Sequence, residues 1–185
     1  MDMTDSRRIA APREVVWAAL NDPEVLKQCI PGCETIEKTS DTEMTAKVTL
    51  KIGPVKATFN GKVTLSDLDP PNGYTISGEG AGGAAGHAKG GAKVSLEAVE
   101  GEDGSEETIL HYDVKAQVGG KIAQLGGRLI DATAKKLAGE FFTTFGEVVA
   151  PAPAEGAGDE AGAEAPKKGW LSGMFGKKKG EAAAE

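Results

Sequence analysis

Cysteine and histidine are the side chains in this sequence best suited to redox or metal chemistry. Cys29 and Cys33 have three residues between them, whereas a redox pair usually has two. A zinc site needs three or four ligands, and His87 and His111 lie far along the chain from both cysteines. We therefore interpret both thiols as structural, and the sequence predicts no metal site.

The segment from Gly78 to Gly83 matches G-x-G-x-x-G, the pattern of dinucleotide-binding turns. Such a site also needs a strand before it, a helix after it and an acidic residue about 20 positions later. Here the chain stays small and glycine-rich as far as Gly91, and the pattern then resumes as a strand. We expect a mobile loop or a bent strand at a pocket mouth, with His87 as an exposed loop residue or a hydrogen-bond donor to a bound carbonyl.

Catalysis is not expected. The sequence shows no Ser-His-Asp arrangement and no phosphate-binding loop, and nothing fixes Glu79 or Lys89 as an acid or base. We therefore predict that the protein is not an enzyme and has no catalytic residues.

Charge and hydropathy exclude further classes of function. Residues 1–150 contain 16 basic and 22 acidic side chains, without the basic stripe that follows nucleic-acid phosphates. No apolar run approaches the roughly 18–20 residues that span a bilayer. Residues 1–8 are polar and lack the apolar stretch of a signal peptide, so we expect a cytoplasmic protein. Because the basic stripe is missing, we also expect that the protein does not bind nucleic acid.

Periodicity predicts an α+β fold. A short first strand and two short helices, over residues 13–20 and 23–27, come before several strands in which apolar and polar residues alternate. From residue 128 to 149 the apolar residues recur every three or four positions, as in a long helix. We predict a curved antiparallel sheet of about six or seven strands wrapped round this helix.

Small side chains on the inner face of the sheet favour an apolar cavity over a solid core. Ala46, Ala57, Gly61 and Ala116 all have the inward phase opposite the helix. The residues predicted to contact a ligand, chosen by inward phase, are Leu50, Phe59, Val63, Ile76, Leu129, Leu137 and Phe141.

Three regions differ in composition: residues 1–150 form a ligand-binding domain, 151–166 a disordered linker and 167–185 a tail. Trp and three other apolar residues flanked by lysines suit the boundary of an anionic membrane, although docking on a protein is the alternative. The predicted membrane-binding residues are Lys167, Lys168, Trp170, Leu171, Met174, Phe175, Lys177, Lys178 and Lys179.

Several motifs make residues 3–149 resemble the CoxG family, named for the G subunit of carbon monoxide dehydrogenase, within the START-like (SRPBCC) helix-grip superfamily. The residues that carry the resemblance are Pro12, Val16-Trp17, Asp22-Pro23, Ile30-Pro31-Gly32-Cys33, Gly53-Pro54-Val55, Gly119-Gly120-Lys121, Arg128-Leu129-Ile130 and Phe141-Phe142.

The resemblance implies an accessory protein, peripheral on the inner face of the cell membrane, that links a soluble molybdenum-containing oxidoreductase to the respiratory chain. An isoprenoid quinone, menaquinone or ubiquinone, or a similar lipid carried in the cavity would provide that link. Two alternatives remain open: a membrane adaptor with a solid core and no ligand, or a START-like enzyme acting on a small molecule.

Overall fold

The computed structural model describes residues 1–150. The linker predicted at 151–166 and the tail predicted at 167–185 lie outside the described residues, together with all nine predicted membrane-binding side chains.

Seven strands and three α-helices make up the described part of the chain. The strands are β1 (Asp2–Ile9), β2 (Cys33–Ser40), β3 (Glu43–Ile52), β4 (Val55–Asp69), β5 (Gly73–Ala81), β6 (His87–Glu100) and β7 (Glu106–Gly119). The helices are α1 (Arg13–Leu20), α2 (Pro23–Cys29) and α3 (Gly127–Val149), and two 3₁₀ turns lie at Gly83–Ala85 and Lys121–Leu125.

The seven strands form one curved antiparallel sheet in the order β1-β7-β6-β5-β4-β3-β2. Each strand therefore pairs with its neighbour in sequence except β1, which pairs with β7 from Asp2 opposite Lys115 to Ile9 opposite Thr108. The predicted fold class, an α+β sheet with a long C-terminal helix, is confirmed.

The two short helices fill the connection between the edge strands β1 and β2. Pro12 precedes α1 in an extended conformation, and α2 begins at Pro23, a position where a missing backbone N–H costs nothing. The Asp22 side chain caps α2 by accepting a hydrogen bond of 2.9 Å from the backbone N–H of Glu24. The second helix continues to Cys29, two residues beyond the predicted end.

The glycine-rich segment is mostly strand, so of the two expected forms, a mobile loop or a bent strand, the structure shows strand. Gly78–Ala81 complete β5 and His87–Gly91 begin β6, which leaves only residues 82–86 between them. Paired strands provide partners for the backbone groups, so the glycines need no ligand to order them. His87 is correspondingly not a loop residue but the exposed first residue of β6.

Two buried apolar clusters lie between the sheet and the helices. The large cluster joins α1, α2 and the end of α3 to the inner face of the sheet, and its most buried side chains include Val16, Leu110 and Phe145. The small cluster joins Ala57, Ala85 and Ile122, with both 3₁₀ turns, near the β3–β4 hairpin. The space between these two clusters is where the fold places a candidate site.

A candidate ligand-binding site

Small residues cross the inner face of the sheet between the two clusters. In one cross-strand row, Ala46 pairs with Gly61, Gly61 with Gly80 and Gly80 with Ala88. In the next row, Gly78 pairs with Gly90 and Gly90 with Ala116. These two rows, called here the small-residue belt, extend over β3 to β7 and contribute little side-chain volume to the interior.

At one end of the belt the interior is filled. Leu110 and Val16 are at most 1% exposed, and the ring of Phe145 is fully buried and stacked on Phe141 with centroids 5.5 Å apart. Tyr74, Val94 and their neighbours complete this part of the large cluster. Close packing of this kind leaves no room for a second molecule.

Helix α3 is buried only near its C-terminal end. Phe145 and Val149 are its buried residues, whereas Leu129, Ile130 and Leu137 in its first half remain half-buried. A long helix that covers a sheet normally buries an apolar stripe along its whole length. The incomplete burial of α3 indicates that the sheet beneath its first half supplies too few side chains to cover it.

All seven residues predicted to contact a ligand are half-buried in the structure. Val63, Ile76 and Phe141 pack against the large cluster, and Phe59 packs against the small cluster. Leu50, Leu129 and Leu137 belong to neither cluster. Leu50, Leu129 and Leu137 thus lie outside the filled regions, and the role of all seven in binding stays a prediction.

Two glycines allow the lining side chains to take up their positions. A Cβ atom on Gly82 would lie 2.6 Å from the ring of Phe59, and a Cβ atom on Gly53 would lie 2.7 Å from Leu129. Gly53 also has a φ of +58°, a conformation that other residues rarely adopt. These contacts join the 82–86 loop and the β3–β4 hairpin to the lining.

Two tyrosines on the inner face were missed as inward-facing polar residues. Tyr74 and Tyr112 lie in one cross-strand row on either side of Val94, and each is 6% exposed. The Tyr74 ring meets Trp17 edge-on at 5.2 Å, and the Tyr112 ring stacks on Phe142 at 5.3 Å. Neither hydroxyl is hydrogen-bonded to a residue within 1–150. Tyr74 and Ile76 are two positions apart in the same strand, and this spacing could have predicted that both side chains face inwards.

Burial raises the pKa of the Tyr74 phenol far above its usual range, because the phenolate would lose its hydration. The hydroxyl therefore stays protonated and keeps one proton to donate. Because the Tyr74 ring lies in the filled large cluster, this proton is not directed at the thinly lined part of the interior.

An arginine and a carboxylate also lie on the inner face, at the open edge formed by β1. The Arg7 guanidinium lies 5.6 Å from the centroid of the Phe142 ring and 4.0 Å from the Asp5 carboxylate. Its Nε atom is buried without a hydrogen-bond partner among residues 1–150. The inner face is thus more polar than the strand pattern indicates, but this pair lies at the edge and is explained by its own contacts.

The remaining candidate residues have simpler environments. Burial raises the pKa of the Cys29 and Cys33 thiols, and both cysteines are free, which does not suit a reactive redox pair. His111 faces outwards and contacts Glu97 at 3.0 Å. Arg128 is exposed at the start of α3. No group of three or more potential metal ligands occurs within residues 1–150.

Two open grooves lie on the outer face of the sheet. Their volumes are about 950 and 620 Å³, and the polar side chains of Lys62, Glu79 and Lys89 line both. Such polar, solvent-open surfaces do not suit an apolar ligand, for which a largely enclosed apolar site is needed. The inner face therefore remains the better candidate site.

A curved antiparallel sheet closed by one long helix defines the START-like class. Three solved structures are similar to this chain and cover 80% of it. A conserved protein from Geobacillus kaustophilus has 29% identity and a TM-score of 0.74 over 95% of its own chain. A START superfamily protein from Mycobacterium smegmatis has 15% identity and a TM-score of 0.60 over 96% of its chain. The Zhui aromatase/cyclase from Streptomyces sp. R1128 has 14% identity and a TM-score of 0.53 over 93% of its chain.

Residues 6–150 match the family described as CoxG, the G subunit of carbon monoxide dehydrogenase, and the chain belongs to that family. The predicted resemblance is thereby confirmed. A search of curated proteins found no match. No helix within residues 1–150 is long and apolar enough to cross a membrane.

Proposed function

We propose that the protein carries an isoprenoid quinone or a similar lipid between the membrane and a soluble oxidoreductase. The observation that supports this most directly is the half-buried first half of α3 above the small-residue belt. A flexible apolar molecule placed there would bury the exposed faces of Leu129 and Leu137. Each apolar side chain that becomes fully buried contributes about 1.5–3 kcal/mol, which suits a ligand that is held and later released.

The family supports an accessory role in place of catalysis. Its description names a subunit of carbon monoxide dehydrogenase, so a molybdenum-hydroxylase-type enzyme of that kind is the proposed partner. A quinone bound inside this protein would receive electrons from the enzyme and return them to the respiratory chain. Because the partner enzyme is a separate protein, the carrier itself needs no catalytic group.

The tail supplies the proposed membrane attachment. Its five lysines each contribute on the order of 1 kcal/mol at an anionic surface. Partial burial of Trp170, Leu171, Met174 and Phe175 adds about 4–8 kcal/mol, and ordering the segment opposes it by several kcal/mol. The balance favours reversible binding.

Lipid extraction of the purified protein followed by mass spectrometry tests the carrier function. We expect a quinone to co-purify or to be taken up from detergent micelles. A protein that never holds quinone would leave only the adaptor role. Liposome co-sedimentation tests the attachment, since truncation after Pro166 should remove most binding, and unchanged binding would show that the tail is not the anchor.

An enzymatic role is the second candidate, because a START-like aromatase/cyclase has the same fold. The observation that favours it is the presence of Asp5, Arg7, Tyr74 and Tyr112 on the inner face. A likeness at 14% identity supports the fold alone, and Arg7 and Asp5 already contact each other at the edge. Turnover of a polyketide-like substrate that is lost in Arg7→Ala would support this role over the carrier.

A further inference from the structure

The connections between strands differ in charge at the two ends of the sheet. The β2–β3, β4–β5 and β6–β7 connections lie at one end. The acidic residues in or beside these connections are Asp41, Glu43, Asp67, Asp69, Glu100, Glu102, Asp103, Glu106 and Glu107. Three other connections, β3–β4, β5–β6 and β7–α3, lie at the other end. The stretches that contain them, 44–66, 80–96 and 114–130, have no acidic residue.

Four exposed cations lie at the second end and are called here the cationic rim: Lys51, Lys56, Lys121 and Arg128. Lys51 and Lys56 are cross-strand partners on the β3–β4 hairpin, whose Gly53 lies against the residue after Arg128. Lys121 precedes Ile122, which packs in the small cluster with the same hairpin. None of the four lies within 4.0 Å of a carboxylate of residues 1–150.

Apolar residues lie among these cations. Pro54 at the hairpin tip, Ala84 in the 82–86 loop and Ala123 in the second 3₁₀ turn are exposed, and Val55 and Leu125 are half-buried. A surface with four cations unpaired within residues 1–150, with small apolar tips and with no acidic residue in its three connecting stretches complements the headgroups of an anionic bilayer. We propose that the cationic rim docks residues 1–150 directly on an anionic membrane, as a second contact besides the tail.

The position of the rim explains why a bilayer is the preferred partner. Leu129 and Gly53 join the rim to the lining of the candidate site, whereas the opposite end is acidic and filled by Phe145 and its neighbours. Docking through the rim would therefore turn the thinly lined end of the interior towards the lipid. The purpose of this docking rests on the proposed carrier function, but the docking itself can be measured without any ligand.

A charge-reversal experiment on the full-length chain tests the proposal. One variant carries Lys51→Glu, Lys56→Glu, Lys121→Glu and Arg128→Glu. Its matched control carries the same change of net charge on the outer face of the sheet, with Lys62→Glu, Lys89→Glu, Lys93→Glu and Lys115→Glu. All eight positions are exposed, so both variants should fold.

Vesicles of phosphatidylglycerol and phosphatidylcholine provide the membrane. Each basic residue near an anionic surface is worth about fivefold in affinity. We expect the rim variant, which loses four such residues, to bind on the order of 600-fold more weakly than the wild type, and the control less than about tenfold more weakly. Equal losses in the two variants, or a larger loss in the control, would overturn the proposal.

Hydrogen exchange on vesicle-bound protein reports the orientation. Residues 51–56, 82–86 and 120–127 should become protected, while the acidic connections at 66–72 and 101–105 should not change. Protection confined to residues 167–180 would show that the tail alone binds, and would reject docking through the rim. Quinone uptake from detergent micelles, measured on the same variants, separates this failure from a failure of the carrier function.

Discussion

Replacing Leu137 by tryptophan tests whether the interior beneath the middle of α3 has unfilled space. Leu137 is half-buried and packs against neither apolar cluster. Phe145 lies two turns further along the same helix and is fully buried in the large cluster. The pair Leu137→Trp and Phe145→Trp thus enlarges one side chain above the thinly lined region and one in the filled region.

The two substitutions should change stability in opposite directions. At position 137, about 40–80 Å² of extra apolar surface buried at about 25 cal/mol per Å² raises the free energy of unfolding by about 1–2 kcal/mol. At position 145, enlarging a side chain in a close-packed core lowers it by about 1–3 kcal/mol. The tryptophan at 137 should also exclude the ligand, because it occupies the same space.

Urea denaturation of ligand-free protein measures the first effect, and quinone uptake from micelles measures the second. Both variants need an unchanged dependence of the unfolding free energy on urea, so that the midpoints compare stability alone. If Leu137→Trp is destabilised as much as Phe145→Trp, the interior is solid under the whole of α3. That result would reject the ligand space and leave a membrane adaptor.

Three further predictions concern single side chains. Thr108→Val should lower the free energy of unfolding by about 1–3 kcal/mol in urea titrations, because the buried hydroxyl donates to the Ala11 carbonyl oxygen at 2.7 Å. The rate of Cys33 alkylation by iodoacetamide should rise only at a pH above that at which an exposed thiol ionises. The reason is that burial raises the Cys33 pKa, so that little thiolate exists at neutral pH. Labelling already complete near pH 7 would contradict this. Cys29, which is more deeply buried, should react more slowly than Cys33 at every pH.

Elements with a strong local pattern were predictable from the sequence. The helix over residues 13–20 and the long helix from residue 127 or 128 to 149 have apolar residues at helical spacing. β3 alternates apolar and polar side chains between a buried and an exposed face, as the period of two predicts. Local periodicity was sufficient in these cases because each element has one buried and one exposed face.

Other features depend on tertiary contacts that no local pattern encodes. β2 is an edge strand in which every residue except Cys33 and Ile36 is exposed, so it shows little alternation. The glycines of β5 and β6 resembled a loop because backbone pairing across strands, not side-chain pattern, holds them. The alternation within the strands predicted the lining residues of the candidate site. It could not predict the burial of Tyr74, because that burial depends on contact with Trp17 of α1.

The pairing of β1 with β7 has a consequence for the synthesis of the protein. Asp2 lies opposite Lys115, so β1 has no partner until more than a hundred further residues have been translated. Contacts between distant parts of a chain slow folding, because a long loop must close before any pairing stabilises it. The nascent chain therefore leaves β1 unpaired until β7 has emerged from the ribosome.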